Sequence, residues 1–177
     1  MKTQPASEYA LLGALMTGPR HGYEIRSFLR KGLGATWHIP TSQLYAQLKR
    51  LEERGDLRSS LEPQESRPSR RVFELTDQGR ETFLSWLLTP VHHVRDLRVE
   101  FLAKLFFVRR LGLNGTRLVR EQEQVLQQTL SRMNERLERE TDPHRRLTAG
   151  FKRATARAWQ DWLQEEAQPF VEETCRT

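Results

Sequence analysis

The spacing of apolar residues changes period along this 177-residue chain, and each change marks a different kind of element. From Tyr9 the apolar positions Leu11, Leu12, Leu15 and Met16 keep one helical face apolar, with Ser7 as the predicted N-cap and Gly18-Pro19 as the stop. A second helix opens at His21-Gly22, with Tyr23, Ile25, Phe28 and Leu29 apolar, Arg26, Arg30 and Lys31 polar, and Gly32 and Gly34 ending it. Trp37-His38-Ile39-Pro40 is expected to be extended, because a residue before proline is pushed out of the α region. Thr41 or Ser42 then caps a third helix ending at Gly55. At roughly 100° per residue, Leu44, Leu48 and Leu51 fall in one narrow stripe, and Ser42, Tyr45, Ala46, Lys49 and Arg50 spread over the opposite side.

After Gly55-Asp56 the pattern becomes that of extended chain. Residues 57–62 and 71–75 predict two short strands, and the polar segment 63–70 between them is too long for a tight turn, which makes a basic-tipped wing. Thr76 is a good N-cap for a further helix carrying Phe83, Trp86 and Leu87, with Asp77 and Glu81 near its positive end. Thr89-Pro90-Val91-His92-His93 reads as a boundary, and everything beyond it reads as helix. Residues 97–111 are apolar enough to want more than one neighbour. From 116 to 140 a heptad-like register places Val119, Leu126 and Met133 in one seam position and Leu130 and Leu137 in the other, with Glu123 interrupting. The last helix, 143–168, spaces Leu147, Phe151, Ala154, Ala158 and Trp162 helically, with Trp159 beside them, and is expected to end at Pro169. The expected fold is mainly α: a winged helix-turn-helix over 1–90, then an all-α domain over 91–177.

Composition narrows the classes of function. Hydrophobic residues make up 37% and charged residues 29% of the chain, and the mean hydropathy of −0.71 suits amphipathic helices better than a compact α/β enzyme. The net charge is +6, which leans towards an anionic partner. That excess is shared equally, since residues 1–90 carry 13 basic and 10 acidic side chains and residues 91–177 carry 16 and 13. The local pattern says more: four arginines face two glutamates between Arg58 and Arg71, and no acid occurs from Ile25 to Leu51. The one cysteine, Cys175, cannot form an intrachain disulfide and suits the cytoplasm. The longest apolar run, Tyr9 to Met16, is too short to span a membrane and lacks a cleavage pattern behind it, so no membrane association is expected.

Four blocks together resemble the PadR-type transcriptional regulators. They are Tyr9-Ala10-Leu11-Leu12-Gly13, His21-Gly22-Tyr23-Glu24-Ile25, the stretch from Leu44-Tyr45-Ala46-Gln47-Leu48 to Arg54-Gly55, and Arg71-Val72-Phe73-Glu74-Leu75-Thr76-Asp77-Gln78-Gly79. They cover about the first half of the chain, with Phe73 standing where the family usually has tyrosine. The second half looks like the helical module of the longer, virulence-activator-like members. The resemblance implies a cytoplasmic, homodimeric, sequence-specific DNA-binding repressor from bacteria, often controlled by a small molecule, with no cofactor.

The residues support the DNA reading on their own account. A major groove about 12 Å wide admits one helix, read near its N-terminal end, and that end here offers Thr41, Ser42, Gln43 and Tyr45. Gln43 can pair bidentately with adenine. Lys49, Arg70 and Arg71 are expected on phosphates, Arg67 in the minor groove, and Tyr23 and His21 on the backbone. His21 is equally able to cap its helix, Tyr45 to pad the contact between helix and wing, and Arg70 and Arg71 to lie on a solvated edge strand.

Double-stranded DNA, a second copy of the chain and a small-molecule effector are therefore the expected partners. Leu102, Leu105, Phe106, Leu126, Leu130, Met133, Leu137, Trp159 and Trp162 are expected to build the homodimer, because the amphipathic helices carry more apolar face than one protomer can cover; the alternative is a seam closed within one chain. Trp37, Trp159 and Trp162 can line an effector pocket, or simply belong to the core. The pair His92-His93 has no further ligand at a recurring zinc spacing, so no metal site is expected. No glycine-rich phosphate loop or nucleophile motif supports an enzyme. A protein-interaction adaptor remains the alternative; the polar and basic face of the third helix, with the arginine-rich wing, argues against it.

Overall fold

The computed structural model describes residues 5–34, 39–63 and 70–174. The chain divides into two compact units, Met1–Leu88 and Thr89–Thr177.

The first unit is organised by α1, Ala6–Leu15, whose Ala10, Leu11, Leu12, Ala14 and Leu15 are buried almost all round, as expected of a core helix rather than a surface one. Pro5 rather than Ser7 precedes this helix; Ser7 lies inside it, where its hydroxyl accepts a hydrogen bond from Gln47. A two-residue strand that the apolar pattern did not announce, β1 (Arg20–His21), leads into α2 (Gly22–Leu33). The third helix, α3 (Thr41–Glu53), starts after Pro40 without the side-chain cap expected of Thr41 or Ser42.

The strands β2 (Leu57–Glu62) and β3 (Arg70–Leu75) pair antiparallel, Leu57 opposite Leu75 and Glu62 opposite Arg70. β1 joins the other edge of β3, Arg20 opposite Phe73. The sheet therefore has three strands in the order β1-β3-β2, not the two of the wing alone. Thr76 caps α4 (Asp77–Leu87) as expected, its hydroxyl accepting from the Gly79 N–H at 3.0 Å and donating to the Gly55 carbonyl at 2.7 Å. Gly79 is required there, because a Cβ would stand 1.8 Å from the Asp56 carbonyl oxygen. Trp86 of α4 stacks on Tyr9 with ring centroids 4.9 Å apart.

The second unit is helical. A short helix α5 (Val94–Asp96) passes through a π-helical turn, Leu97–Phe101, into α6 (Leu102–Arg110). α7 (Thr116–Arg139) and α8 (Pro143–Trp162) form a long hairpin, α8 being capped by the Asp142 carboxylate on the Arg145 N–H at 2.8 Å. The expectation that Pro169 ends the last helix is wrong. A second π-helical turn, Leu163–Ala167, shifts the hydrogen-bonding pattern, and Pro169 becomes the second residue of α9 (Gln168–Thr174), a position where a missing N–H costs little.

Two buried polar side chains hold the first residues of this unit in place. The Gln122 amide donates to the Val91 carbonyl at 2.8 Å and accepts from its N–H at 2.6 Å, satisfying that residue as a neighbouring strand would. The Lys104 ammonium donates to the Thr89 carbonyl at 2.6 Å and pairs with Glu100 at 2.9 Å. No helix among the described residues is long and apolar enough to cross a membrane.

Burial pulls the Lys104 ammonium below the ordinary lysine value of 10.5, against the opposing pull of Glu100. Lys104→Met removes both bonds and is expected to lower stability at neutral pH by about 1–3 kcal/mol, measured as a denaturant midpoint. With its folded-state value depressed, this lysine binds its proton more weakly in the folded chain than in the unfolded one. The wild type should therefore gain stability relative to Lys104→Met as pH rises through the folded-state value towards 10.5.

Candidate nucleic-acid interface

Burial of one side of α3 decides what its other side presents. Leu44, Leu48 and Leu51 are fully buried, each side chain stabilising the fold by roughly 1.5–3 kcal/mol. Thr41, Ser42, Gln43, Ala46 and Lys49 are exposed as a result, and Tyr45 is 47% exposed. The Tyr45 ring lies against the first turn of α2: a Cβ on Gly22 would come within 2.7 Å of its hydroxyl. Tyr45 therefore pads the contact between α2 and α3 rather than one with the wing, and still shows one edge to solvent.

His21, Tyr23 and Arg70 come together beside this face. The rings of His21 and Tyr23 stack at 5.6 Å, and the Arg70 guanidinium sits 5.6 Å from the centroid of the Tyr23 ring. The His21 N–H donates to the Glu24 carboxylate at 2.8 Å, while its ring nitrogens lie 3.3 Å from the Arg71 carbonyl oxygen and 3.6 Å from the Glu62 carboxylate. His21 therefore caps α2 and ties it to the sheet.

The two wing arginines part company because successive residues of a strand point to opposite faces. Arg70 joins Tyr23, whereas Arg71 donates to both Glu52 carboxylate oxygens, at 3.0 and 3.2 Å, and to the Ser59 hydroxyl at 2.7 Å. Of the two arginines expected on phosphates, Arg71 is thus paired at the base of the wing and Arg70 is not. Lys49 makes only an exposed pair with Glu53 at 3.7 Å, too weak to withhold it from a phosphate. On the wing, a hydrogen bond from Arg58 at 2.8 Å pulls the Glu74 carboxyl below its ordinary value and raises the guanidinium. Arg67 and Trp37 lie outside the described residues.

A polar cluster escaped the sequence reading. Glu8 of α1 is buried and accepts hydrogen bonds from Arg50 and Arg54 of α3, and Arg54 continues to Asp56. No periodicity links residues 42 positions apart, so nothing in the pattern could announce it.

In the helical unit, the heptad-like seam is already covered. Leu126, Leu130 and Leu137 are buried within the chain itself, where α7 packs against α8, and Leu105 is buried on α6. Of the expected dimer residues, Leu126, Leu130 and Leu137 thus show little open surface in the single chain. Met133, Trp159, Leu102, Phe106 and Trp162 are half-buried. The last three, with Leu105, Arg109 and Phe170, line a groove of about 800 Å³. Trp159 meets Trp162 edge-on at 5.3 Å, and the Arg109 guanidinium lies 4.8 Å from the Phe170 ring centroid. The apolar face left open belongs to α8, where Leu147 and Phe151 are each 72% exposed and Ala154 and Ala158 continue the stripe. His92 and His93 are exposed, and among the described residues no group of three His, Cys, Asp or Glu side chains is placed to hold a metal ion.

A helix with a polar exposed face, a preceding helix closed against it and a β-hairpin beside both define a winged helix-turn-helix, the fold by which many transcription regulators hold DNA. Residues 11–84 match the Transcriptional regulator PadR-like family. The negative transcriptional regulator PadR of Bacillus subtilis is 31% identical over 101 residues, 57% of this chain and 56% of that protein. A probable transcriptional regulator of Mycobacterium tuberculosis is 27% identical over 93 residues, 52% of this chain and 49% of that one. The match thus spans about half the length of these relatives. The crystal structure of Bacillus subtilis PadR in complex with operator DNA superposes with a TM-score of 0.51 at 24% identity, covering 92% of this chain and 97% of that one, a likeness of fold.

Because Arg71 bonds Glu52 through Nη2 and Ser59 through Nε, Arg71→Ala is expected to cost stability, by about 1–3 kcal/mol. Arg70→Ala, which loses one exposed ring contact, should change stability by about 0.5 kcal/mol or less. Thermal denaturation of the two variants checks the difference.

Proposed function

We propose that this chain is a cytoplasmic transcription repressor that binds double-stranded DNA as a homodimer, on a pseudo-palindromic operator and under the control of a small molecule. The observation that carries the reading is the exposed side of α3, where Thr41, Ser42, Gln43, Tyr45 and Lys49 stand beside the Tyr23–Arg70 pair. It offers uncharged donors and acceptors for base edges, with cations at its margin for phosphates. Arg67 is kept as the minor-groove residue of the wing, and Arg71 as a support for it. The name of the Bacillus subtilis relative, a negative regulator, favours repression over activation. An enzyme has no comparable support.

For the homodimer, the open stripe of α8 takes the place of the α7 seam. An antiparallel pairing about a two-fold axis between Lys152 and Arg153 sets Leu147 opposite Ala158 and Phe151 opposite Ala154, a large side chain against a small one each time. Such a pairing covers the two most exposed apolar side chains of the unit. Two-fold symmetry then demands half-sites one or two helical turns apart, a turn being about 34–36 Å. The groove beside Trp162 is the place we assign to the effector, Leu102 and Phe106 supplying apolar wall and Arg109 a charge.

Lys49→Ala is expected to weaken binding to all duplexes and to flatten the dependence of log affinity on log salt by about one unit. Gln43→Ala should instead relax preference at one base step, by roughly 1–3 kcal/mol. Equal loss on selected and random DNA would take Gln43 out of the base contacts, and a chain that binds no duplex at low salt would overturn the reading. Sedimentation separates the two surfaces in the helical unit. Phe151→Glu should yield folded monomers, whereas Leu130→Glu should unfold the α7–α8 hairpin.

A further inference from the structure

The base-reading end of α3 is set from α1. The Glu8 carboxylate, 2% exposed, receives the Arg50 guanidinium at 2.9 Å through Nε and again through Nη2, and the Arg54 Nη1 at 2.9 Å. Arg54 is held in turn by Asp56, at 3.0 Å through both Nε and Nη2. One turn nearer the N-terminal end, the Gln47 amide donates to the Ser7 hydroxyl at 2.7 Å, with both groups buried. Gln47, Arg50 and Arg54 lie at i, i+3 and i+7, a single row down the flank of α3. The next residue up that row is the exposed Gln43.

Leucines hold a helix against a core but resist rotation about its axis weakly, because packing is non-directional. Charge-assisted hydrogen bonds with a bidentate guanidinium are directional. Rotating a helix by about 10° moves a side chain about 5–6 Å from its axis by about 1 Å, whereas a hydrogen bond to a base edge tolerates about half an ångström.

The structure assigns to Glu8 the role of a positioning residue for base readout: through Arg50 and Arg54 it fixes the rotation of α3 and with it the placement of Gln43. It also turns Arg50 of the acid-free segment, and Arg54 beyond it, towards Glu8. The inference rests on the DNA-binding reading above and adds a residue that itself touches no DNA.

Glu8→Gln keeps the volume but presents an amide where two guanidinium groups need a carboxylate. With the full chain, a duplex selected in vitro by the wild type and a scrambled duplex are titrated at several salt concentrations. The variant is expected to lose roughly tenfold in the ratio of selected to scrambled affinity, within the range of one misplaced base contact. Its scrambled affinity should not fall below that of the wild type, and the loss should vanish when Gln43 is already alanine. An unchanged ratio overturns the inference, and so does an equal loss on both duplexes that follows the fraction unfolded. Glu8→Asp, which keeps the charge but withdraws it by one methylene, reads the same ratio if Glu8→Gln does not fold. A wild type that selects no sequence overturns the DNA-binding reading itself, and this inference with it.

Discussion

Burial of the leucine stripe of α3 against α1 is the constraint on which the DNA-facing side of this protein depends. Leu44, Leu48 and Leu51 have no accessible surface, and neither have Leu11 and Leu12 of α1. Expelling water from these side chains fixes which way the helix faces, and so forces Thr41, Ser42, Gln43 and Lys49 outward together. Apolar contact alone leaves the rotation of the helix loosely defined. The Glu8–Arg50–Arg54 contacts and the Ser7–Gln47 bond supply the direction that the leucines lack.

Charge works locally here. The +6 of the whole chain is shared evenly between its halves and points to no surface. Within the winged unit, Arg50, Arg54, Arg58 and Arg71 each meet a carboxylate, and Arg20 is spent on the Ala14 carbonyl and the Thr17 hydroxyl. Lys49 in a weak surface pair and Arg70 on an aromatic ring lie at the margin of the α3 face, and Arg26, Arg30 and Lys31 are exposed on α2. Attraction to a polyanion therefore depends on which cations the fold leaves uncommitted.

Much of the fold was legible along the chain. Three helices, a wing and the Thr76 cap follow from apolar period, glycine and proline positions and N-cap chemistry, and they lie close to where those signals put them. The misses share a cause. β1 is two residues long and exists because β3 offers it an edge. Pro169 sits in a continuing helical stretch because a π-helical turn precedes it. The α7 seam reads as a surface for a second chain, yet α8 returns and covers it. In each case a residue distant in sequence decides the outcome.

The sequence by itself determined the class of the first unit and the residue types on the polar side of its third helix, because short-range periodicity and capping are local properties of the chain. Only the tertiary structure decided which of those residues are free. It turned Arg71 onto Glu52 and Arg70 onto Tyr23, brought Glu8 to Arg50 across 42 residues, and moved the open apolar face from Leu130 on α7 to Leu147 and Phe151 on α8. Those outcomes turn on directional polar contacts and on which helix face a neighbour reaches first, and neither leaves a period in the sequence.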